Sequence, residues 1–406
     1  MPPFDFEQVF ASRAEGMRAS EIRELLKLLD QPDIISFAGG IPDPAFFPAE
    51  ALTAAYERVL GDPALRAQAL QYSVSEGYPP LRRWIAAYMA SLGVPCSETN
   101  ILVTSGSQQA LDFLGRLFLS PGDTALITAP TYLGALQAFN AYEPRYDTLD
   151  LAEGANSPAG LRERAAAAGS AVKFAYAVPD FSNPSSATIP LAARNGLLDL
   201  AADLGIPVIE DAAYTALRYD GEPLPPVLAL ELARSGDIEA CRTIFCGTFS
   251  KTLAPGLRVG WICAAHALIE KLVLIKQASD LHNPSINQMV MHQVAEACFA
   301  EQVTRLRAAY RERRDAMSAA LEAHMPDGVT WLQPEGGMFF WLTLPPEIDG
   351  KTLLARSIAE ARVAFVPGGA FFSDGSGANT IRLSFSLSSP ATIEEGVTRL
   401  GRLLTA

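Results

Sequence analysis

The strongest constraint on the fold is an alternation of short apolar runs with helix-period segments between about Tyr72 and Val294. Each run is rich in β-branched or aromatic residues and is bounded by glycine, proline or aspartate, which is typical of a buried strand. The runs are ILVTSG (101–106), TALITAP (124–130), KFAYAVPD (173–180), IPVIED (206–211), RTIFCGTFS (242–250) and LRVGWICA (257–264). Strands alternating with helices predict an α/β fold with a mostly parallel sheet that helices cover on both faces.

The pattern changes beyond about Glu296, which predicts a second, smaller domain. A long helix-like stretch at 301–324 precedes strand-like runs near Val329, Phe339 and Arg382. A length of 406 residues also suggests two or three domains, since a domain has about 150 residues. The predicted division is an N-terminal segment (1–50) that joins the small domain, a large domain (51–295) and a small α+β domain (296–406).

The charge and hydropathy of the chain disfavour two classes of partner. Its formal net charge is −13, whereas binding to a nucleic-acid backbone needs a basic face. No apolar run approaches the roughly 20 residues that span a bilayer. The first residues, MPPFDFEQVF, lack the basic and apolar regions of a signal peptide. We therefore expect neither a nucleic-acid partner nor a membrane partner.

Cysteine and histidine usage gives no sign of a metal site. The five cysteines form no CxxC pair, and the four histidines have neither HExxH nor zinc-site spacing. Buried thiols in a reducing compartment are the expected state of the cysteines. We predict no metal site and a cytoplasmic location.

Polar and reactive residues follow the predicted strands, at the edge where open α/β sheets form their binding sites. Gly106, Ser107 and Gln108 end one strand and begin a helix, whose free N–H groups favour an anion. The same residues also fit an ordinary turn with Ser107 as the helix N-cap. The other strand ends carry Tyr132, Asn183, Asp211, Tyr214 and Lys251.

Asp211 and Tyr214 stand at the end of the run IPVIED. A buried carboxylate is costly without a partner, so a protonated heterocyclic nitrogen would suit Asp211. Tyr214 could reach an oxygen of the same ring. An N-cap or salt bridge for Asp211 and a core position for Tyr214 are the alternatives.

Lys251 differs from the other five lysines, because it alone is surrounded by small and apolar residues in the sequence. Desolvation lowers the pKa of a lysine and makes its amine a nucleophile for a carbonyl group. Thr248, Ser250 and Arg258 could hold a phosphate close by. The alternative is a lysine that extends from a loop into solvent.

Together these motifs resemble the class I/II aminotransferases, the fold-type I pyridoxal-phosphate enzymes. GTFSKTLAPGLRVGW (247–261) is similar to the family's cofactor-lysine signature. Further motifs follow in the family's order, namely SFAGGIPDP (36–44), QYSVSEGYPPLR (71–82), SGSQQALD (105–112), PTY (130–132), PDFSNPSS (179–186), EDAAY (210–214) and TIRLSFS (380–386). The α-aminoadipate/kynurenine aminotransferase subgroup is the most similar, through ASEIRELLKL (19–28), DLHNPSINQ (280–288) and VPGGAFF (366–372).

The resemblance implies that the large domain binds pyridoxal 5'-phosphate, and it gives the ring-binding residues their roles. Lys251 would hold the cofactor and move the substrate's α-proton, and Asp211 would keep the ring nitrogen protonated. Asn183 and Tyr214 would bond the ring oxygen, and Tyr132 would stack on the ring. Lys251, Asp211 and Tyr214 are thus the implied catalytic residues.

The resemblance also implies sites for the phosphate and for the substrate's carboxylate. The implied phosphate cradle consists of Ser107, Gln108, Thr248, Ser250 and Arg258. Tyr72 would reach the phosphate from a second subunit, which implies a homodimer with shared active sites. The implied α-carboxylate site consists of Arg382, Gly40 and Asn183.

The implied reaction is a ping-pong transamination between small molecules. An L-amino acid of the 2-aminoadipate, aromatic or leucine-like type would give its amino group to 2-oxoglutarate. Alternatives are a β-lyase or another pyridoxal-phosphate enzyme on the same scaffold, and a cofactor-binding regulator-type domain without catalysis. The presence of Lys251, Asp211 and Arg382 together speaks against a non-catalytic protein.

Arg23 is the candidate for recognising an acidic substrate, and Ser20, earlier in the same segment, is the other candidate substrate-binding residue. Ser20 resembles a helix N-cap, and an apolar helical face is shared by Ile22, Leu25, Leu26 and Leu29. Arg23 then lies on the polar side of the first turn, where the helix dipole disfavours a cation unless an anion is bound. In the subgroup this segment resembles a mobile helix whose arginine meets the substrate's distal carboxylate; the alternative is a solvated arginine balanced by a surface acid.

We expect Arg23→Ala to lower kcat/KM for 2-aminoadipate by about 10- to 150-fold, because a charge-assisted hydrogen bond contributes roughly 1.5–3 kcal/mol. Steady-state kinetics with leucine is the control, and this apolar substrate should be nearly unaffected. Arg382→Ala should damage turnover of both substrates. Equal losses of kcat/KM for both substrates in the Arg23 variant would mean that this segment contributes to packing and does not recognise the distal carboxylate.

Overall fold

The computed structural model of the chain describes residues 3–15, 33–152 and 154–405. Two predicted substrate-binding residues, Ser20 and Arg23, lie outside the described residues. Their roles therefore stay predictions.

Strands occur throughout the described part of the chain after residue 33. In chain order they are β1 (Ile35–Ser36), β2 (Ile101–Thr104), β3 (Thr124–Ile127), β4 (Arg145–Thr148), β5 (Val172–Ala177), β6 (Val208–Asp211), β7 (Thr243–Thr248), β8 (Gly260–Cys263), β9 (Thr330–Trp331), β10 (Phe339–Thr343), β11 (Val363–Ala364), β12 (Val366–Pro367) and β13 (Thr380–Ser384). Each of the six apolar runs of the sequence overlaps one of these strands.

Helices connect the strands. In chain order they are α1 (Ser12–Glu15), α2 (Ala49–Gly61), α3 (Pro63–Ala69), α4 (Pro79–Ser91), α5 (Ser107–Phe118), α6 (Leu133–Asn140), α7 (Pro158–Ala167), α8 (Leu191–Leu204), α9 (Val227–Ser235), α10 (His266–Gln277), α11 (Ser285–His324), α12 (Gly350–Arg356) and α13 (Pro390–Thr405). No helix within the described ranges combines the length and apolar character needed to cross a membrane.

Seven strands form the central sheet, in the order β2-β8-β7-β6-β5-β3-β4. Among the described strands of this sheet, only β8 runs antiparallel to its neighbours β2 and β7, and the other pairs are parallel. Every residue of β2, β3, β6, β7 and β8 is buried, as expected for a sheet that helices cover on both faces. The predicted α/β fold with a mostly parallel, seven-stranded sheet is confirmed.

The edge strand β4 was not among the predicted strands. Its sequence RYDT carries charged residues, and none of the four residues is buried. An edge strand pairs on one side only and can keep polar side chains in contact with water, so it lacks the apolar run that marks a central strand.

A second sheet, of order β12-β13-β10-β9, is antiparallel. The N-terminal strand β1 pairs with β11 in parallel, with Ile35 opposite Val363, so the two ends of the chain meet in this part of the molecule. Helix α11 is 40 residues long and passes through position 295 without a break. The domain limits at 50 and 295 stay a prediction.

The topology brings four sequence-predicted groups to one edge of the central sheet. Gly106 follows β2, Asn183 follows β5, Asp211 ends β6 and Lys251 follows β7. These strands run in the same direction, so their carboxyl ends share an edge. Arg382, in the middle of β13 in the second sheet, faces the same space.

A buried ion network holds the loop that carries Asn183. Asp180 accepts hydrogen bonds from Arg194 (2.7 Å) and from Arg218 (3.2 Å). Arg194 is fully buried and also donates to backbone carbonyl groups on both sides of the loop. Breaking such a network would leave an uncompensated buried charge, so the loop has little freedom to shift.

Candidate active site

A cavity of about 560 Å³ opens at the carboxyl edge of the central sheet. Every predicted site residue that the structure describes lines it, except Tyr72. These lining residues are Gly40, Ser107, Gln108, Tyr132, Asn183, Asp211, Tyr214, Thr248, Ser250, Lys251, Arg258 and Arg382. The fold thus brings together groups that are far apart in the sequence.

Asp211 is buried with one carboxylate oxygen unused. Its Oδ2 accepts a hydrogen bond from the Tyr176 hydroxyl at 2.9 Å, whereas its Oδ1 has no partner among the described residues. Burial raises the pKa of Asp211 to about 6, although the Tyr176 hydroxyl and the Lys251 charge act in the opposite direction. A cationic N–H donor in the cavity would satisfy the free oxygen and stabilise the charge.

The Lys251 amine faces the same cavity. Its Nζ lies 3.2 Å from the carbonyl oxygen of Gly40 and 5.8 Å from the centre of the Tyr214 ring. Burial, together with the charges of Arg382 and Arg258, lowers the pKa of Lys251 to about 8. A large fraction of the amine is therefore unprotonated at mildly alkaline pH, which suits a nucleophile or a base.

The expectation that only Lys251 has an apolar setting is wrong. Lys276 is fully buried, and its amine lies 5.8 Å from the centre of the Phe113 ring. Its long side chain reaches inward from α10 to the Asp280 carboxylate at 3.0 Å. The i,i+4 spacing of these two residues permits the ion pair, but the burial of the lysine depends on its contact with Gln109 on another helix, which the spacing does not show.

Two tyrosines and an asparagine form the wall around the amine. Burial raises the pKa of Tyr132 to about 12 and raises that of Tyr214 further, so both phenols stay protonated at neutral pH. The side chain of Asn183 lies within hydrogen-bonding reach of the Tyr214 phenol and accepts a bond from Arg382 at 2.7 Å. These groups offer O–H and N–H donors to an oxygen on a bound ring.

The opposite end of the cavity is formed by a helix N-terminus and hydroxyl groups. Gly106, with φ +75°, precedes the first helical residue Ser107, and no side chain caps the helix. Gly106 is thus the N-cap, which differs from the alternative of Ser107 as N-cap. A Cβ at Gly106 would come within 2.7 Å of Arg258 Nη2. The hydroxyl of Thr248 donates to that of Ser250 at 2.9 Å.

Free N–H groups at a helix N-terminus, two hydroxyls and a guanidinium are groups that bind a phosphate. Gln108, by contrast, donates its amide to the carbonyl oxygen of Gly134 at 2.7 Å. Its side chain thus braces the cavity wall in this structure.

Arg382 is buried, and no carboxylate of the described residues is paired with it. Its Nη1 and Nη2 donate to Asn183 Oδ1 (2.7 Å) and to the carbonyl oxygen of Ala38 (2.9 Å). The rings of Phe339 and Phe371 lie 4.3 and 5.2 Å from the guanidinium. Within the described ranges no acidic side chain forms an ion pair with it, and burial lowers its pKa to about 10. Such a cation is suited to binding an anion that enters the cavity.

Glycine is required beside this arginine at position 40. A Cβ on Gly40 would lie 2.7 Å from the Phe339 ring. The lack of a side chain at Gly40 therefore leaves room for the Phe339 ring beside Arg382. The carbonyl oxygen of Gly40 also accepts a hydrogen bond from Lys251.

Tyr72 does not line the cavity of its own chain. Its side chain is 79% exposed, and its ring meets the His282 ring edge-on at 5.9 Å. A solvent-facing aromatic ring of this kind is available to a second molecule.

Sequence reasoning missed Tyr176, Phe371 and Gly134 as parts of the site. Tyr176 lies opposite Ile209 in the β5–β6 register, and Asp211 is on the same face two residues along. Only the register reveals this contact. Gly134 admits the Tyr132 ring, since a Cβ there would approach the ring to 2.5 Å.

The residues present fit pyridoxal phosphate. The unsatisfied Asp211 oxygen matches a protonated pyridine nitrogen, and the Lys251 amine matches an aldehyde. The helix N-terminus at Ser107, with Ser250 and Arg258, matches a phosphate. Among the described residues, no group of three or more histidine, cysteine or acidic side chains could hold a metal ion.

Comparison with known proteins agrees with this chemistry. Residues 35–400 match the family described as aminotransferase class I and II. The chain is 43% identical over 408 residues to aromatic-amino-acid aminotransferase 1 of Thermococcus litoralis, covering 99% of this chain and 95% of that protein. It is 43% identical over 409 residues to the 2-aminoadipate transaminase of Thermus thermophilus, covering 100% and 98%.

A solved structure has the same fold over nearly the whole chain. It is an alpha-aminoadipate aminotransferase from Thermus thermophilus, complexed with N-(5'-phosphopyridoxyl)-L-leucine. The TM-score is 0.88 at 40% sequence identity, covering 99% of this chain and 98% of that one. The chain belongs to the class I and II aminotransferases of fold type I, and it is a pyridoxal-phosphate-dependent transaminase.

Proposed function

We propose that the enzyme moves the amino group of an L-amino acid of the 2-aminoadipate, aromatic or leucine-like type to 2-oxoglutarate by a ping-pong mechanism. The observation that carries the proposal is that the Lys251 amine and the Arg382 guanidinium, which has no carboxylate partner among the described residues, share one cavity. An amino acid offers its α-proton to the amine and its carboxylate to the guanidinium. The names of the Thermococcus and Thermus relatives support these substrate types.

Arg382 binds the substrate's α-carboxylate in this proposal. The Nε of its buried guanidinium has no hydrogen-bond partner within the described ranges, and Asn183 and the backbone at Gly40 complete the carboxylate site. A carboxylate can accept two hydrogen bonds from a guanidinium, which fixes its orientation as well as its position. The α-carbon is thereby held toward Lys251.

Lys251 removes the α-proton through Nζ and returns it later in the reaction. Its lowered pKa of about 8 leaves a useful fraction of free amine at neutral to alkaline pH. The Tyr214 ring lies beside the amine, and its phenol stays protonated as a donor.

Asp211 holds the cofactor's ring nitrogen in its protonated form. Pyridoxal phosphate, when bound, supplies an electron sink for the carbanion that proton removal creates. Tyr132 stacks on the ring, and Asn183 and Tyr214 bond its oxygen. Phosphate binding is assigned to Ser107, Gln108, Thr248, Ser250 and Arg258.

We further propose a homodimer with shared active sites, in which Tyr72 reaches the partner's phosphate site. The support is the 79% exposure of Tyr72 outside its own cavity. A cytoplasmic location is also proposed, because all five cysteines, which lie within the described ranges, are free thiols.

We assign recognition of an acidic substrate side chain to Arg23 and Ser20. Among the described residues, the cations lining the cavity are Lys251, Arg258 and Arg382. All three already have proposed roles, so a distal carboxylate needs a further cation. A β-lyase on this scaffold would instead release ammonia, which distinguishes the two reactions.

A substrate profile with 2-oxoglutarate as acceptor tests the proposal. We expect glutamate to form with 2-aminoadipate, with an aromatic amino acid or with leucine as donor, and double-reciprocal plots at several acceptor concentrations should be parallel. Ammonia and pyruvate released from a β-substituted donor without acceptor would contradict the proposal in favour of lyase chemistry.

Asp211→Asn should inactivate the enzyme yet stabilise the cofactor-free protein. Because burial raises the pKa from 3.8 to about 6, the charged carboxylate costs about 2–3 kcal/mol above the folded pKa. This cost of the charged carboxylate is absent below about pH 4, grows between about pH 4 and pH 6, and stays nearly constant at higher pH. Thermal unfolding of the cofactor-free variant should therefore occur at higher temperature than wild type at pH 7.5, with the difference vanishing at acidic pH.

The matched control for this prediction is Asp199→Asn, which removes an exposed carboxylate that is 69% accessible. Its effect on stability should be small at every pH. A cofactor-free Asp211→Asn protein that is less stable than wild type at pH 7.5 would contradict the account of an uncompensated buried charge.

We predict a dimer by light scattering at assay concentration, since the site lacks the Tyr72 side chain without a partner. Tyr72→Ala should weaken cofactor binding by about tenfold, as expected for loss of a hydrogen bond to a charged group, while the protein stays dimeric. A monomer with full activity would refute the shared site.

A further inference from the structure

The turn that precedes α5 is fixed by side chains from three different parts of the chain. The N–H of Ser105 donates to Gln109 Oε1 at 2.8 Å, and its carbonyl oxygen accepts from Arg258 Nη2 at 3.1 Å. Its hydroxyl accepts from Asn283 Nδ2 at 2.6 Å. Every polar group of Ser105 is therefore bonded, one residue before Gly106 enters the left-handed conformation. The direction of the helix N-terminus depends on these bonds.

A buried cation stands behind this turn. Lys276 is fully buried, and its Nζ donates to Gln109 Oε1 at 3.1 Å and to both carboxylate oxygens of Asp280 at 3.0 and 3.1 Å. Gln109 Nε2 donates to Asp280 at 2.8 Å and closes the network. The ammonium thus uses its three donors on two side chains, one of which holds Ser105.

The network has an electrostatic consequence as well as a geometric one. Lys276 neutralises the Asp280 carboxylate, which is bonded to the same Gln109 side chain that fixes the turn. Without the lysine, this carboxylate would repel an anion at the helix N-terminus. Lys276 does not line the cavity, so any effect on a bound phosphate must pass through its neighbours.

We infer that Lys276 is a positioning residue for the phosphate end of the cofactor: it fixes Ser105 through Gln109 and neutralises Asp280 behind the turn. The inference rests on the proposed phosphate site at Ser107. It predicts a selective effect, because only a ligand that carries a phosphate uses this end of the cavity.

The test compares two ligands in full-length cofactor-free protein. Lys276→Met should raise the Kd of pyridoxal phosphate by about tenfold, equivalent to about 1.4 kcal/mol, and should change the Kd of pyridoxal, which lacks the phosphate, by less than about twofold. Inorganic phosphate should compete less well in the variant by a similar factor. Lys271→Met is the matched control, because it removes an exposed lysine from the same helix and should leave all three values unchanged.

Two further variants keep the test decisive if Lys276→Met folds poorly. Gln109→Met removes the bond to the Ser105 N–H and should show the same selective loss of phosphate-bearing ligand. The double variant Lys276→Met/Asp280→Asn should bind pyridoxal phosphate more tightly than Lys276→Met alone, because the uncompensated carboxylate is gone.

The outcomes separate this inference from the proposed phosphate site. Wild-type protein that binds pyridoxal phosphate no more tightly than pyridoxal would overturn the phosphate site, and with it the inference. Clear discrimination by the wild type that persists in Lys276→Met and in Gln109→Met would overturn the inference alone. Equal increases in both Kd values would also overturn it, because the network would then only stabilise the fold.

Discussion

One buried guanidinium joins the parts of the chain that make the site. Arg382 comes from the second sheet, and it donates to the Asn183 side chain on the central-sheet loop and to the backbone at Ala38 near β1. A buried cation without a carboxylate partner is tolerated only if these bonds and the flanking Phe339 and Phe371 rings are in place. These bonds connect the second sheet, the Asn183 loop and the segment after β1 around the cavity, where we propose that Arg382 binds the substrate's carboxylate.

Two other reactive groups of the cavity, Asp211 and Lys251, are also placed in surroundings that disfavour their charged forms. Asp211 has one carboxylate oxygen bonded to Tyr176 and one without a partner in the described part of the chain, and burial lowers the pKa of Lys251. Each group costs stability in the cofactor-free protein, and under the proposed function each would be stabilised when the complementary part of the cofactor or substrate binds. The buried network around Asp180 and Arg194 keeps the surrounding loop rigid, so the cost is not relieved by collapse of the site.

The sequence was sufficient to predict the sheet and the residues at its carboxyl edge, because buried strands and their terminal motifs are local signals. It could not predict the edge strand β4, whose side chains are exposed. Contacts that depend on strand register, such as Tyr176 with Asp211, were also out of reach. The burial of Lys276 was missed for a similar reason, since its partners come from another helix and from the turn after α10.

In the proposed function, Lys251 moves the α-proton of an amino acid that gives up its amino group in the cavity that Arg382 also lines. A single-turnover experiment measures this step: the loaded enzyme is mixed with an amino acid donor in the absence of any 2-oxo acid. We predict that the wild type releases a single equivalent of 2-oxo acid per subunit and no ammonia, and that Lys251→Ala releases neither. Continuous release of ammonia with the oxo acid, or a normal burst from Lys251→Ala, would contradict the account.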